Sequence, residues 1–77
     1  MLDLLPTIVS LARTGSISAT ARALGVPRST VSRRLARAEE ELGVVLAERN
    51  NRAFRLTPAG RHLAREGEAL LARLHTV

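Results

Sequence analysis

The sequence predicts a mainly α-helical domain that carries one short β-hairpin. Apolar residues recur every three or four positions through most of the 77 residues, which is the period of an α-helix. Gly15, Gly25 and Gly43 separate these stretches, and glycine commonly ends helices. Phe54 and Leu56 alternate with polar neighbours, which is the period of a β-strand. These observations predict three helices, a hairpin and a last helix.

The first two helices are predicted to be short. Helix one runs to about Thr14, with Asp3 as its cap and Pro6 in its first turn, where a missing backbone donor costs little. Its apolar residues form two stripes, so one side is available to a partner chain: Leu4, Ile8 and Leu11, then Leu5, Val9 and Ala12. Helix two begins at a cap, Ser16 or Ser18, and turns inward Ile17, Ala21 and Leu24.

The third helix follows a turn of Gly25, Val26 and Pro27 and spans about residues 28–42, beginning at Pro27 or Arg28. Its predicted buried side consists of Val31, Leu35, Ala38 and Leu42. At 100° per residue, the opposite side consists of Ser29, Thr30, Arg33 and Arg37, with Ser32 and Arg34 on the flanks. A short helix, a tight turn and a longer helix with a basic exposed face are the layout of a helix-turn-helix.

The hairpin is predicted over about residues 46–57, with its turn at Asn50, Asn51 and Arg52. Thr57 followed by Pro58 is a strong helix start, so the last helix spans residues 58–77. Five of its residues share one apolar stripe, which also includes Gly67: Ala59, Leu63, Leu70, Leu74 and Val77. Because an isolated helix of this length is marginal in water, we expect this stripe to pair two chains in a homodimer.

The predicted architecture is therefore a winged helix-turn-helix over residues 1–57, followed by a long dimerisation helix over residues 58–77. No capping residue, glycine or proline closes the last helix at Val77. We therefore expect the chain to continue in a longer protein.

Charge is segregated along the chain. The formal net charge is +5, and all twelve basic residues are arginine. Six arginines and no acid lie between Leu4 and Ala38, and five arginines and no acid lie between Arg49 and Arg65. Segregation of this kind creates a surface of one sign that attracts a polyanion, which points to nucleic acid as the partner.

Other classes of function find little support. The chain has no cysteine, and His62 and His75 have no companions at ligand spacing, so we expect no metal and no cofactor. Glu39, Glu40 and Glu41 are consecutive and point in different directions, which favours solvation or pairing with arginine over catalysis. The apolar amino terminus is too short to span a bilayer and lacks a signal-peptide pattern, so we expect a cytoplasmic protein that is not an enzyme.

Three groups of residues are candidate DNA contacts. The first, on helix three, offers guanidinium forks and hydroxyls to base edges and phosphates: Arg28, Ser29, Thr30, Ser32, Arg33, Arg34 and Arg37. The second, Asn51 and Arg52 at the hairpin tip, suits a minor groove. The third, Ser16 and Ser18, lies at the amino end of helix two, where free backbone donors bind phosphate. The alternatives are a solvated helix face, an ordinary polar hairpin and plain helix capping.

These residues resemble the amino-terminal winged helix-turn-helix domain of the LysR-type transcriptional regulators. The matching blocks are LARTGSIS at residues 11–18, Ala21 and Leu24, VSR at 31–33 with Leu35, EEELGV at 39–44 with Leu46, Arg49, and LTPAG at 56–60. The resemblance covers nearly the whole chain, and several ordered blocks are more specific than any single motif.

The resemblance implies that helix three is the recognition helix, with Ser32 and Arg33 facing DNA, and that the helix from Pro58 pairs two subunits antiparallel. It also implies a small-molecule effector that binds only through a further domain, which these residues do not form. The chain departs from the family pattern at Thr20, Pro27, Arg28, Ala38 and Ala47. Ala38 and Ala47 are smaller than the residues usual in the family, so they remove apolar volume from the core. We expect Phe54 to fill part of that space.

The sequence thus predicts a homodimer that binds double-stranded DNA sequence-specifically to regulate transcription. The third helix would enter the major groove, and the hairpin would lie near the minor groove. Two alternatives stay open: a winged-helix module that binds an acidic protein partner, and a non-specific nucleic-acid binder.

Overall fold

The computed structural model describes residues 1–50 and 52–75. One 3-10 turn at Leu2–Leu4 leads into α1 (Leu5–Thr14), which is followed by α2 (Ile17–Leu24) and α3 (Arg28–Leu42). The strands β1 (Ala47–Arg49) and β2 (Phe54–Leu56) pair antiparallel, and α4 (Pro58–His75) completes the described chain. We call residues 47–56 the wing. This order confirms the predicted winged helix-turn-helix and its long last helix.

The core lies where α1, α2, α3 and the wing meet. Its buried apolar residues are Leu4, Ile8, Leu11, Ala21, Val31, Leu35, Ala38, Leu46, Ala47, Leu56 and Ala64. Phe54 packs against this cluster, which contains both alanines at which the chain departs from the family pattern. Leu42 was predicted to be buried, but it is 44% exposed. The reason is that α3 ends there, and the chain leaves through Gly43 before another element covers that turn.

Glycine ends each of the first three helices. Gly15, Gly25 and Gly43 have φ values of 73°, 69° and 67°, the left-handed conformation that side chains with a Cβ disfavour. Because the glycines end the helices abruptly, the loops between the helices are short. The predicted ends of α1 and α3 are confirmed.

The helix starts were predicted only in part. Ser16, rather than Ser18, caps α2, because its Oγ accepts a hydrogen bond from the Ala19 N–H at 2.8 Å. The prediction that Asp3 caps α1 is wrong, since no side chain caps that helix. The Asp3 carboxylate instead lies 3.1 Å from the amino group of Met1, and that hydrogen bond lowers the pKa of Asp3.

Thr20, another departure from the family pattern, is completely buried. Its hydroxyl lies 2.8 Å from the hydroxyl of Thr14, so the extra polar atom has a partner. The pair fixes the end of α1 against the middle of α2.

α4 packs along α1 through small residues. Gly60, Ala64 and Gly67 form its buried face, and a Cβ on Gly67 would lie 3.1 Å from Leu5 Cδ2. The expectation that one stripe of α1 serves a partner chain is wrong for Leu5 and Val9, which α4 of the same chain covers. α4 can cover these two residues because its small side chains let the two helix backbones approach closely.

Thr57 joins the wing to α4. Its N–H donates to the Leu46 carbonyl at 2.9 Å, and its hydroxyl donates to the Val45 carbonyl at 2.7 Å. The same hydroxyl oxygen accepts from the Gly60 N–H at 3.1 Å, so Thr57 caps α4 as predicted. α4 passes so close to the hairpin that a Cβ on Gly60 would overlap the Leu46 carbonyl oxygen. Position 60 therefore requires glycine.

Candidate nucleic-acid interface

The predicted exposed face of α3 is present. Ser29, Arg33 and Arg37 are exposed, and Thr30 is half-buried. The Arg33 guanidinium donates to Thr30 Oγ1 at 3.2 Å, so the side chain lies back along the helix toward its amino end. A long cation held on the helix surface beside hydroxyl groups presents donors and acceptors suited to base edges and phosphates.

The structure gives two other arginines of α3 protein partners. Arg34 is half-buried and reaches toward α1, where its Nη1 lies 3.4 Å from Thr7 Oγ1. Arg37 lies 3.8 Å from Asp3 and 3.9 Å from Glu41. Both remain predicted DNA contacts, but each would have to exchange a partner within the protein for a phosphate or base. Ser32, on the opposite flank, is half-buried.

Chain folding brings three separated segments around one groove. The start of α2, the start of α3 and the wing enclose a space of about 270 Å³, whose polar lining includes Ser16, Ser18, Arg28, Arg49 and Arg52. The structure thus places the candidates from α2, α3 and the wing side by side. Asn51, the other candidate at the wing tip, lies outside the described residues.

Asn50 shapes the wing tip. Its side-chain oxygen accepts hydrogen bonds from the backbone N–H of Arg52 at 2.8 Å and of Ala53 at 2.9 Å. This arrangement is typical of asparagine in tight turns. These hydrogen bonds agree with the predicted turn at Asn50 and Arg52, its two described residues, and hold the backbone of Arg52 beside Asn50.

Ion pairing divides the arginines of the described residues into two groups. Those paired with a carboxylate include Arg13 with Glu68, Arg37 with Asp3 and Glu41, Arg49 with Glu39, and Arg55 with Glu48. Within residues 1–50 and 52–75, Arg28, Arg33 and Arg52 have no carboxylate within 4 Å. Arg22, Arg34, Arg61 and Arg65 also have no carboxylate partner in the described residues. The unpaired charge is therefore spread over the domain, and Arg28, Arg33 and Arg52 are its part on the α3 face and the groove.

Glu39 has a role that the sequence analysis missed. Its Oε2 accepts a hydrogen bond from the Leu46 N–H at 2.9 Å, and its Oε1 accepts from Arg49 Nη2 at 3.4 Å. Pairing with arginine was predicted, but the backbone contact was not. A signal existed, because Glu39 follows the buried Ala38 and so lies at the edge of the inward side of α3. Glu40, by contrast, is exposed.

The predicted dimer stripe on α4 is only partly free of the domain. Leu70 and Leu74 are 40% and 52% exposed, and Ala59 is also exposed. Leu63 is half-buried against the core, and Gly67 faces α1 rather than solvent. Val77 lies outside the described residues. The exposed part of the stripe therefore consists of two leucines on the far half of α4 and an alanine near its start.

Neither histidine joins a cluster of ligands. His62 and His75 are exposed, and His62 lies 3.9 Å from Glu66. In the part of the chain that the structure describes, no three His, Cys, Asp or Glu side chains come together in a group that could hold a metal ion. No helix in residues 1–50 and 52–75 has the length and apolarity needed to cross a bilayer.

Comparison with known proteins decides the family. Residues 2–61 match the profile of the bacterial regulatory helix-turn-helix proteins of the lysR family. The chain belongs to the LysR family. The matched range contains α1, α2, α3 and the wing, which confirms the resemblance drawn from the sequence blocks.

Two curated relatives are bacterial. An HTH-type transcriptional regulator of Mycobacterium tuberculosis is 48% identical over 52 residues, which are 68% of this chain and 17% of the relative. The HTH-type transcriptional activator AllS of Klebsiella pneumoniae is 44% identical over 61 residues, which are 79% of this chain and 23% of the relative. This chain thus spans less than a quarter of the length of either relative.

A solved structure extends the likeness to the whole LysR-family domain. The DNA-binding domain of CbnR in complex with DNA superposes with a TM-score of 0.92 at 29% identity, covering 99% of this chain and 87% of that one. α4 is therefore part of the shared fold as well as the winged helix-turn-helix. The chain has the fold of a LysR-type DNA-binding domain.

Proposed function

We propose that this LysR-family domain binds double-stranded DNA sequence-specifically as a homodimer and thereby regulates transcription. α3 enters the major groove, the wing lies near the minor groove, and α4 joins two subunits. The two recognition helices then contact successive major grooves about 34 Å apart on an interrupted palindrome.

The observation that carries this proposal is that three unpaired arginines lie together with hydroxyl side chains on one surface, formed by the α3 face and the groove. Arg28, Arg33 and Arg52 lie on the α3 face and on the groove beside it, and in the described residues no carboxylate neutralises them. The arginines elsewhere in the domain include several that are paired with acids. A polyanion that reaches this surface gains charge-assisted hydrogen bonds without first breaking an ion pair.

Base reading is assigned to the middle of the α3 face. Arg33 forms the bidentate contact with guanine, while Ser29, Thr30 and Ser32 bond base edges or phosphates. Arg52 and Asn51 approach the minor groove, where narrow A·T-rich tracts concentrate negative potential. Ser16 and Ser18 bring the amino end of α2 to a phosphate, which fixes the domain without reading sequence.

Dimerisation is assigned to the exposed leucines of α4. Leu70 and Leu74 leave apolar surface in water on a helix whose other side already packs on α1. Fully burying an exposed leucine is worth about 1.5–3 kcal/mol, and about half of that remains for each of these half-exposed side chains, so antiparallel pairing of two such helices favours a dimer. Ala59 and Leu63 belong to the same stripe near the start of α4.

Three further assignments follow from membership of a family of bacterial transcriptional regulators. The domain acts in the cytoplasm, where bacterial DNA lies, and it performs no catalysis. A small-molecule effector acts through a separate domain of the complete protein.

The test is selection of the chain from a pool of random DNA duplexes at near-physiological salt, followed by sequencing of the bound fraction. We expect an enriched palindrome with two half-sites about one helical turn apart. If each dimer neutralises six to ten phosphates, the logarithm of affinity falls with the logarithm of salt with a slope of about −5 to −9. Binding without enrichment would favour a non-specific binder. An absence of DNA binding would favour the protein-interaction module.

A further inference from the structure

The connection between α3 and the wing depends on one acidic side chain. Glu39 lies in the last turns of α3, and its side chain is 20% exposed. Its Oε2 accepts hydrogen bonds from the N–H groups of Leu46 at 2.9 Å and Ala47 at 3.4 Å. The recognition helix and the first strand of the wing are thus joined by hydrogen bonds to one carboxylate.

Leu46 needs this partner because it is almost completely buried. A buried N–H without an acceptor is unfavourable, because the group loses its hydrogen bond to water and gains none in return. The carbonyl of Leu46 accepts from the Thr57 N–H at 2.9 Å, so both backbone groups of this residue are held. Glu39 fixes one side through α3, and Thr57 fixes the other side through the segment that begins α4.

The second carboxylate oxygen of Glu39 forms an ion pair with an arginine of the groove. Oε1 lies 3.4 Å from Arg49 Nη2, and Arg49 lines the groove together with Arg28 and Arg52. Arg49 differs from these two neighbours because its guanidinium has a carboxylate partner. The ion pair holds this cation against α3 and reduces the unpaired charge in the groove.

We propose that Glu39 is a positioning residue that fixes the wing relative to the recognition helix, and that it contributes to the choice of DNA sequence more than to affinity. This inference rests on the proposed function. The wing tip and the α3 face must contact neighbouring grooves at the same time, so their relative position determines which sequences suit both. A freed Arg49 would add a mobile cation that binds any phosphate.

The informative variant is Glu39→Gln. Its amide oxygen can still accept from the Leu46 N–H, but its amide NH₂ cannot form an ion pair with Arg49. Glu40→Gln is the matched control, because it removes the same charge from the next residue, whose exposed carboxylate makes no hydrogen bond or ion pair within the described residues. Circular dichroism and thermal unfolding establish that both variants are folded.

The measurement is the ratio of affinities for the selected duplex and a scrambled duplex, with sequence preference determined again by selection. For Glu39→Gln we expect the ratio to fall about fivefold or more, the size of one weakened base-pair contact. Binding to scrambled DNA should be unchanged or tighter than for Glu40→Gln. Preference should weaken at the outer positions beneath the wing and persist at the positions beneath α3.

Glu39→Ala provides a second test, because it removes the acceptor of the Leu46 N–H together with the ion pair to Arg49. It should weaken preference at the same outer positions. If Glu39→Gln behaves like Glu40→Gln, or loses affinity equally for every sequence, the inference is wrong while the proposed function stands. If the wild-type chain enriches no sequence, both are wrong.

Discussion

Gly60 offers the sharpest test of the structure, through the variant Gly60→Ala. A Cβ at this position would overlap the Leu46 carbonyl oxygen and lie 3.0 Å from the carbonyl carbon and 3.1 Å from Leu56 Cδ2. Carbon atoms pack favourably at about 3.5–4.0 Å, so α4 and the hairpin would have to separate by roughly 1 Å. The nearest atom belongs to the backbone, which cannot rotate away as a side chain can.

That separation strains the hydrogen bonds that Thr57 makes. The bonds from the Thr57 N–H to Leu46 and from the Gly60 N–H to the Thr57 hydroxyl are 2.9 and 3.1 Å long. Overpacking costs about 1–3 kcal/mol, and each lost hydrogen bond about 1 kcal/mol. We therefore expect Gly60→Ala to lower the free energy of unfolding by about 2–5 kcal/mol, a large part of the roughly 4–12 kcal/mol typical of a domain this size.

Gly67→Ala on the same helix is the control. Its Cβ would meet the Leu5 Cδ2 atom at 3.1 Å, the far end of a side chain that can rotate. Replacing glycine by alanine within a helix gains about 1 kcal/mol, which offsets the crowding. Urea unfolding of the wild-type domain, Gly60→Ala and Gly67→Ala at one protein concentration measures the free energy of unfolding of each. A Gly60→Ala domain within about 0.5 kcal/mol of wild type, the usual range for harmless surface substitutions, would refute this account of the crossing.

Three further changes test the candidate site and the fold. Arg33→Ala should cost about 1–3 kcal/mol on the selected duplex and relax preference at one base pair in each half-site, whereas an equal loss on every duplex would make Arg33 a phosphate contact. Leu70→Asp or Leu74→Asp should move sedimentation equilibrium toward monomer and leave the circular dichroism spectrum unchanged; an unaffected dimer would exclude the predicted stripe. Ser16→Ala should lower stability by about 0.5–2 kcal/mol through loss of the α2 cap, while Ser18→Ala, which removes no cap, should have little effect on stability.

Local sequence signals predicted the helices and strands well because their causes are local. Gly15 and Gly43 end helices in left-handed conformations, and Thr57 with Pro58 begins one. The exposed side of α3 followed from helical geometry once Val31, Leu35 and Ala38 were taken as its buried side. None of these inferences required knowledge of where another segment would lie.

The sequence was less informative where contacts join distant segments. The stripe of α1 that contains Leu5 and Val9 could have met either a partner or α4, and apolarity alone does not distinguish them. Gly67 decided the outcome, because its lack of a side chain admits those residues. The Glu39 contact with the Leu46 N–H was missed for the same reason: its place beside Ala38 indicates a carboxylate at the edge of the buried side, but not which backbone group reaches it.

The close packing of α4 on α1 has a mechanical consequence. Gly60 lies against Leu46 and Gly67 lies against Leu5 of α1, two turns apart, so the direction of α4 relative to α1 and the hairpin is fixed at two points. In the proposed dimer, joined at Leu70 and Leu74, each α4 would then connect the junction rigidly to its own winged helix-turn-helix. In that dimer, a small rotation at the junction would change the distance between the two recognition helices. The rotated dimer would then favour DNA sites whose half-sites are spaced differently.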